Sequence, residues 1–114
     1  MNKITLISAL LSAFLSVAAV AEEHADTAFK HTNMAVHEGK AGHNAALAKH
    51  AKETLTHAIK AAEVTAGESK THMQAAIKSL ESAIEHGKMQ GKQHTKPVTQ
   101  AAEEAAEHIK AGNQ

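Results

Sequence analysis

Small apolar residues recur at intervals of three and four along most of this chain, and this spacing constrains the fold more than any other feature. Between residues 44 and 66 the apolar positions step by three, four, three and four residues, at Ala48, Ala51, Leu55, Ala58 and Ala62. This spacing places a narrow apolar stripe on one face of an α-helix. No segment alternates apolar and polar residues as a half-buried strand would. The sequence therefore predicts an all-α protein.

Glycines divide the chain into four segments of helical length. They suit helix C-termini and turns, and they are Gly39, Gly42, Gly67, Gly87, Gly91 and Gly112. The predicted helices span residues 24–38, 44–66, 69–86 and 96–111. Asn44 and Ser69 are predicted N-caps, and Pro97 fits the first turn of the last helix, where its missing N–H costs nothing. Narrow stripes and short connections predict an up-down-up-down antiparallel four-helix bundle.

The other predicted helices carry similar stripes. The candidate core positions are Phe29, Thr32 and Val36 in the first, Met73, Ala76, Ile77, Leu80, Ala83 and Ile84 in the third, and Val98, Ala101, Ala105 and Ile109 in the fourth. The chain also repeats itself, because residues 28–40 align with 76–88 and residues 43–57 with 94–108. Two duplicated helical hairpins explain this pattern.

The first 21 residues have the pattern of a secretory signal peptide. Lys3 supplies a positive start, residues 4–20 are mostly apolar, and Ala19-Val20-Ala21 precedes two glutamates. We expect cleavage after Ala21, which would leave a soluble exported domain of residues 22–114. A retained membrane anchor is the alternative, since about 17 apolar residues are just long enough to span a bilayer.

Composition argues against several classes of function. The chain has no cysteine and no arginine, and its 12 basic and 12 acidic residues balance. Balanced charge and almost no aromatic residues argue against nucleic-acid binding. No nucleophile constellation, H-E-x-x-H motif or phosphate loop is present, so we expect a protein that is not an enzyme.

Ten histidines are the main functional signal, and all of them follow residue 21. Many are seven residues apart, so they share a helix face, and helical geometry places this face at the margin of the apolar stripe. The histidines could instead be ordinary polar surface residues, and their spacing could follow from heptad duplication alone. Neither interpretation explains why histidine, which has only moderate helix propensity, is kept at these positions. Imidazole is a common ligand of divalent transition metals. The candidate ligands are His24, His31, His37, His43, His50, His57, His72, His86, His94 and His108.

Histidines seven residues apart lie about 10.5 Å apart along a helix, so each needs a second donor from a nearby turn or an adjoining helix. Glu53 lies between His50 and His57, and Glu104 lies four residues before His108. Further donors at helical spacing are Glu68, Met34 and Met89. Such donors suit Cu(II), Ni(II) and Zn(II), with copper favoured by the Irving–Williams order. A terminus at Glu22-Glu23-His24 would add a square-planar four-nitrogen site for Cu(II) or Ni(II).

The signal sequence, the run HAKETLTHAIKAA at 50–62, the EHGK turn at 85–88 and the seven-residue histidine spacing resemble the periplasmic small metal-binding proteins. The resemblance covers the chain after residue 21. It implies a histidine-rich four-helix bundle in the periplasm that binds several divalent metals, copper foremost, and sequesters or buffers them.

The histidines also allow a second interpretation of the function. Ten imidazoles that titrate near pH 6.5 could instead make a pH-responsive, chaperone-like helical protein. The expected partners are transition-metal ions, with no nucleic acid and no membrane after signal cleavage. We expect a monomer, with a metal-bridged dimer as the alternative.

Overall fold

A computed structural model describes the backbone of residues 3–89 and 94–113 and the side chains of residues 19–89 and 94–113. This part of the chain is all-helical and contains four helices and no strands. The helices are α1 (Lys3–Lys40), α2 (Asn44–Val64), α3 (Gly67–Lys88) and α4 (Thr95–Gly112). The prediction of an all-α protein with four helices is confirmed. Among the residues with described side chains, no helix is long and apolar enough to cross a bilayer.

The four helices pack side by side as a helical bundle. Helix α1 contacts α2 and α4, and α3 contacts the same two helices. The core consists mostly of alanine, and its larger fully buried side chains are Leu47, Met73, Leu80, Val98 and Ile109. The stripes predicted for α3 and α4 are confirmed, except that Ile77 is only partly buried. The helices therefore approach closely but bury little apolar area.

Threonine contributes to this core without leaving a polar group unpaired. Thr32 and Thr54 are fully buried, and each hydroxyl donates a hydrogen bond to the carbonyl four residues earlier, at 2.7 Å and 2.9 Å respectively. Such bonds satisfy the hydroxyl within its own helix. Thr32 was a predicted core position, whereas Phe29, Val36 and Leu55 pack only partly buried against the core.

The start of α1 and the N-caps of α2 and α3 differ from the sequence expectation, whereas the other helix boundaries lie within two residues of it. Helix α1 begins at Lys3 and runs without a break through Ala21, because helix-forming residues continue on both sides of that position. The N-caps of α2 and α3 are His43 and Ala66, without a side-chain capping bond, so the prediction of Asn44 and Ser69 as N-caps is wrong. Ala66 is extended and α3 begins at the next residue, so Ser69 lies inside the first turn of α3. Pro97 lies in the first turn of α4, as predicted.

The glycines fall into two groups. Gly42 and Gly67 have φ values of 82° and 63°; Gly42 lies in the turn before α2, and Gly67 is the first residue of α3. Gly87 instead lies inside α3, where an added Cβ would come within 2.8 Å of the Ala48 Cβ. Gly39 in α1 is likewise covered by Leu47 and Thr99. Glycine at these two positions lets the end of one helix contact the beginning of another. Gly91 lies outside the described residues.

Candidate metal centre

The seam between α1 and α2 gathers four histidines and one glutamate. A short turn at residues 41–43 joins the two helices and lays them side by side. His24 and His31 on α1 then face His50 and His57 on α2. Their side chains are partly buried at the margin of the alanine core, as the helical geometry predicted.

A triad of His31, His50 and Glu53 lies at one end of this seam. One ligand atom from each residue lies within 4.8 Å of the other two. The Nδ1 atom of His31 is 3.0 Å from Oε2 of Glu53, and the Nδ1 atom of His50 is 3.8 Å from the same oxygen. Glu53 contacts both rings, because it lies three residues after His50 and faces α1.

Each imidazole of this triad has one nitrogen that forms no hydrogen bond with any residue whose side chain the structure describes. Nδ1 of His31 and Nδ1 of His50 are buried, and neither makes a hydrogen bond of acceptable geometry, although the Glu53 oxygen is close. Buried polar atoms in proteins normally have a partner. Two imidazole nitrogens and a carboxylate oxygen also form a donor set that suits Zn(II), Cu(II) or Ni(II). The triad could therefore hold a metal ion.

His24 and His57 form a second contact on the same seam. Their Nδ1 atoms are 3.1 Å apart, so that one ring donates its N–H to the unprotonated nitrogen of the other. Burial, followed by the charges of His24, Lys60 and His31, lowers the pKa of His57 from 6.5, and Glu23 opposes this effect. The neutral ring, which is the form that binds metal, is therefore favoured at His57.

Two more histidine pairs lie between α3 and α4. The ring centroids of His72 and His108 are 5.9 Å apart, and those of His86 and His94 are 6.3 Å apart. Nδ1 of His86 is also buried without a hydrogen-bond partner. The His72–His108 pair repeats the His24–His57 pair of the first hairpin, and His86 and His94 align with Glu38 and His43, which also contact each other.

Several predicted ligands are not brought into these groups. His37 is exposed. His43 is also exposed, contrary to its predicted place at the core margin, because it is the N-cap beyond α2, and its Nδ1 lies 2.7 Å from a Glu38 carboxylate oxygen. Glu104 is exposed and makes no ion pair with His108 within the described part of the chain. The other proposed donors, Glu68, Met34 and Met89, are exposed as well.

Sequence spacing found the ligand types but missed two features of the site. It paired His50 with Glu53 but did not show that His31 completes the group from α1. It also missed Glu38 as the partner of His43, although a glutamate five residues earlier, across a glycine-rich turn, was an available signal.

The fold and these sites define a histidine-rich helical bundle that presents imidazole and carboxylate donors along its helix seams. The profile of a family described as small metal-binding protein matches residues 1–112, and the chain belongs to this family. No curated protein matches the chain. Metal binding by this chain is therefore supported by its family and by the geometry of the His31, His50 and Glu53 triad.

Proposed function

We propose that this protein sequesters or buffers divalent transition metals in the periplasm, with copper as the foremost cargo. In this proposal residues 1–21 are a cleaved signal peptide, and residues 22–114 form an up-down-up-down antiparallel four-helix bundle of two hairpins. The antiparallel order is supported by the contacts of Gly39 and Gly87, near the ends of α1 and α3, with the beginning of α2. Its role is binding and not catalysis.

The observation that carries the proposal is the group of two imidazole nitrogens and one carboxylate oxygen, from His31, His50 and Glu53, which lie within 4.8 Å of one another. Both rings are partly buried, with 26% of the His31 side chain and 19% of the His50 side chain exposed. An ion from solution can therefore reach the site, while the helices hold the ligands in place. Few ligands and partial exposure favour exchangeable binding with low selectivity, which suits a buffer. Copper is favoured over zinc and nickel by the Irving–Williams order.

Titration of the metal-free protein with Cu(II), Ni(II) and Zn(II), read by native mass spectrometry, tests this function. We expect several ions per chain and tightest binding of copper. The double variant His31→Ala/His50→Ala should lose one ion, whereas Asn33→Ala/Thr56→Ala, which changes exposed residues on the same two helices, should lose none. A chain that stays empty at micromolar copper would refute the proposal.

The lowered pKa of His57 favours one alternative, a pH-responsive helical protein. Under this alternative the helices separate when the seam imidazoles become protonated, and metal has no effect on stability. Thermal unfolding measured with and without Cu(II) at pH 7.5 and pH 5.5 distinguishes the two functions. Stabilisation by copper at pH 7.5 supports metal binding, and acid-induced opening without any copper effect supports the alternative.

A further inference from the structure

The four histidines of the α1–α2 seam form a continuous zigzag and not two isolated pairs. Ring centroids are 6.2 Å apart from His50 to His31, 6.1 Å from His31 to His57, and 5.3 Å from His57 to His24. The His31 and His57 rings are nearly parallel, with an interplanar angle of 6°. Any ion bound at one end of this zigzag therefore has a second set of donors close by.

The His24–His57 end has the geometry of a chelating pair. Two nitrogens that each lie about 2.0 Å from one ion are about 3.1 Å apart when the angle at the ion is roughly 100°. The observed separation of the two Nδ1 atoms is 3.1 Å. That angle lies between the square-planar and tetrahedral values, so the separation of the two nitrogens already suits one ion, and the rings need only turn to direct both nitrogens at it. The ring that donates its Nδ1–H must only shift this proton to Nε2.

We propose that His24 and His57 form a second metal site, so that the α1–α2 seam binds two divalent ions side by side. This inference rests on the proposed metal-binding function and assigns a particular pair of residues and a particular spacing to it. One ion is held by the His31, His50 and Glu53 triad, and the other by the two Nδ1 atoms of His24 and His57. Glu23 precedes His24 in α1 and is exposed, so its carboxylate adds negative charge at this end of the seam.

The spacing of the two ions follows from the helix. His24 and His31, like His50 and His57, are seven residues apart, so the centres of the two sites are about 10.5 Å apart along the seam. At this distance two divalent ions repel each other, and the second should bind up to roughly tenfold more weakly than it would alone. The two sites therefore fill in sequence as the metal concentration rises.

The second hairpin provides an internal comparison. His72 and His86, like His94 and His108, are fourteen residues apart, so the pairs between α3 and α4 are separated by about 21 Å along their helices. The magnetic dipolar coupling between two Cu(II) ions falls with the cube of distance. Strong coupling is therefore expected only on the α1–α2 seam.

Electron paramagnetic resonance of the full chain loaded with Cu(II) tests the proposal. In the full chain residues 1–21 precede Glu22, so a terminal amine next to His24 cannot form the competing site. We expect a half-field signal and dipolar broadening from two ions about 10 Å apart. His57→Phe keeps an aromatic ring but removes the nitrogen, and it should abolish the half-field signal and remove one bound ion.

His24→Phe changes the opposite helix and should have the same effect, so a folding defect in one variant leaves the test intact. Thr56→Phe adds the same ring one residue away, at an exposed position, and should leave the signal unchanged. A half-field signal that persists in both histidine variants would overturn the two-ion site. Copper that fills the other sites without any short spacing would overturn it too, while the proposed function stands. Failure to bind copper at all would refute both.

Discussion

Replacement of Glu53 by glutamine separates the role of the carboxylate from that of the imidazoles. Glu53 Oε2 lies 3.0 Å from Nδ1 of His31 and 3.8 Å from Nδ1 of His50, so among the described residues it is the charged group that joins the two rings. Glutamine keeps the shape and an oxygen donor but loses the negative charge. We expect Glu53→Gln to weaken metal binding at this site and to leave the metal-free fold unchanged.

The size of the effect follows from Coulomb's law. A divalent ion about 2.1 Å from a carboxylate oxygen gains about 4 kcal/mol even at the dielectric constant of water. The neutral amide oxygen recovers part of this energy, so the dissociation constant should rise roughly a hundredfold. In the metal-free protein the change replaces a partly exposed carboxylate beside the His31 ring by an amide of the same shape, so the free energy of unfolding should change by no more than about 1 kcal/mol.

Zn(II) titration followed by nitrogen–proton correlation spectra of the histidine rings measures this effect. The method resolves His31 and His50 from the other histidines and reports their occupancy separately. Glu63→Gln is the matched control, because Glu63 is an exposed glutamate on the same helix, outside the seam. Equal zinc affinity of Glu53→Gln and wild type at His31 and His50 would show that the carboxylate is not a ligand.

Three further predictions concern pH, packing and metal removal. The pKa of His57 in the folded protein is lowered from 6.5, so the unfolded chain binds this proton more readily and the free energy of unfolding should fall as the pH drops below 6.5. NMR titration of the His57 ring and thermal melts at several pH values measure these two effects. His57→Gln should reduce the pH dependence of stability. Gly87→Ala should lower the free energy of unfolding by about 1–2 kcal/mol, because the clash of the new methyl group with Ala48 exceeds the gain in helix propensity. Urea titration measures this change, and an unchanged midpoint would contradict the close contact. Copper at a hundred times its dissociation constant should stabilise the fold by about 2.7 kcal/mol per site, and a chelator should reverse the shift in melting temperature.

Most of the fold could be predicted because the helical signals agree with one another. The three-and-four spacing in α3 identified Met73, Leu80 and Ile84, which are buried in the structure. Helix starts were less certain, since Asn44 and Ser69 are good capping residues that lie inside helices formed by their neighbours. Local preference is weak, and packing of the helices decides where each one begins.

The candidate site could be predicted in its residue types but not in its pairings. Seven-residue spacing places His50 and His57 on one face of α2, whatever their neighbour. Which rings of α1 meet them depends on how far one helix is shifted along the other. Contacts such as that between Gly39 and Leu47 accompany this shift, and they cannot be derived from the spacing within either helix.

The interior of the bundle, filled mostly by methyl groups, links the lifetime of the protein to its cargo. Alanine contributes little cohesion, so the empty chain should open often enough for proteases to cut it. Each ion that ties α1 to α2 would make such openings rarer. In a cell the abundance of this protein would then follow the supply of metal, without any change in gene expression.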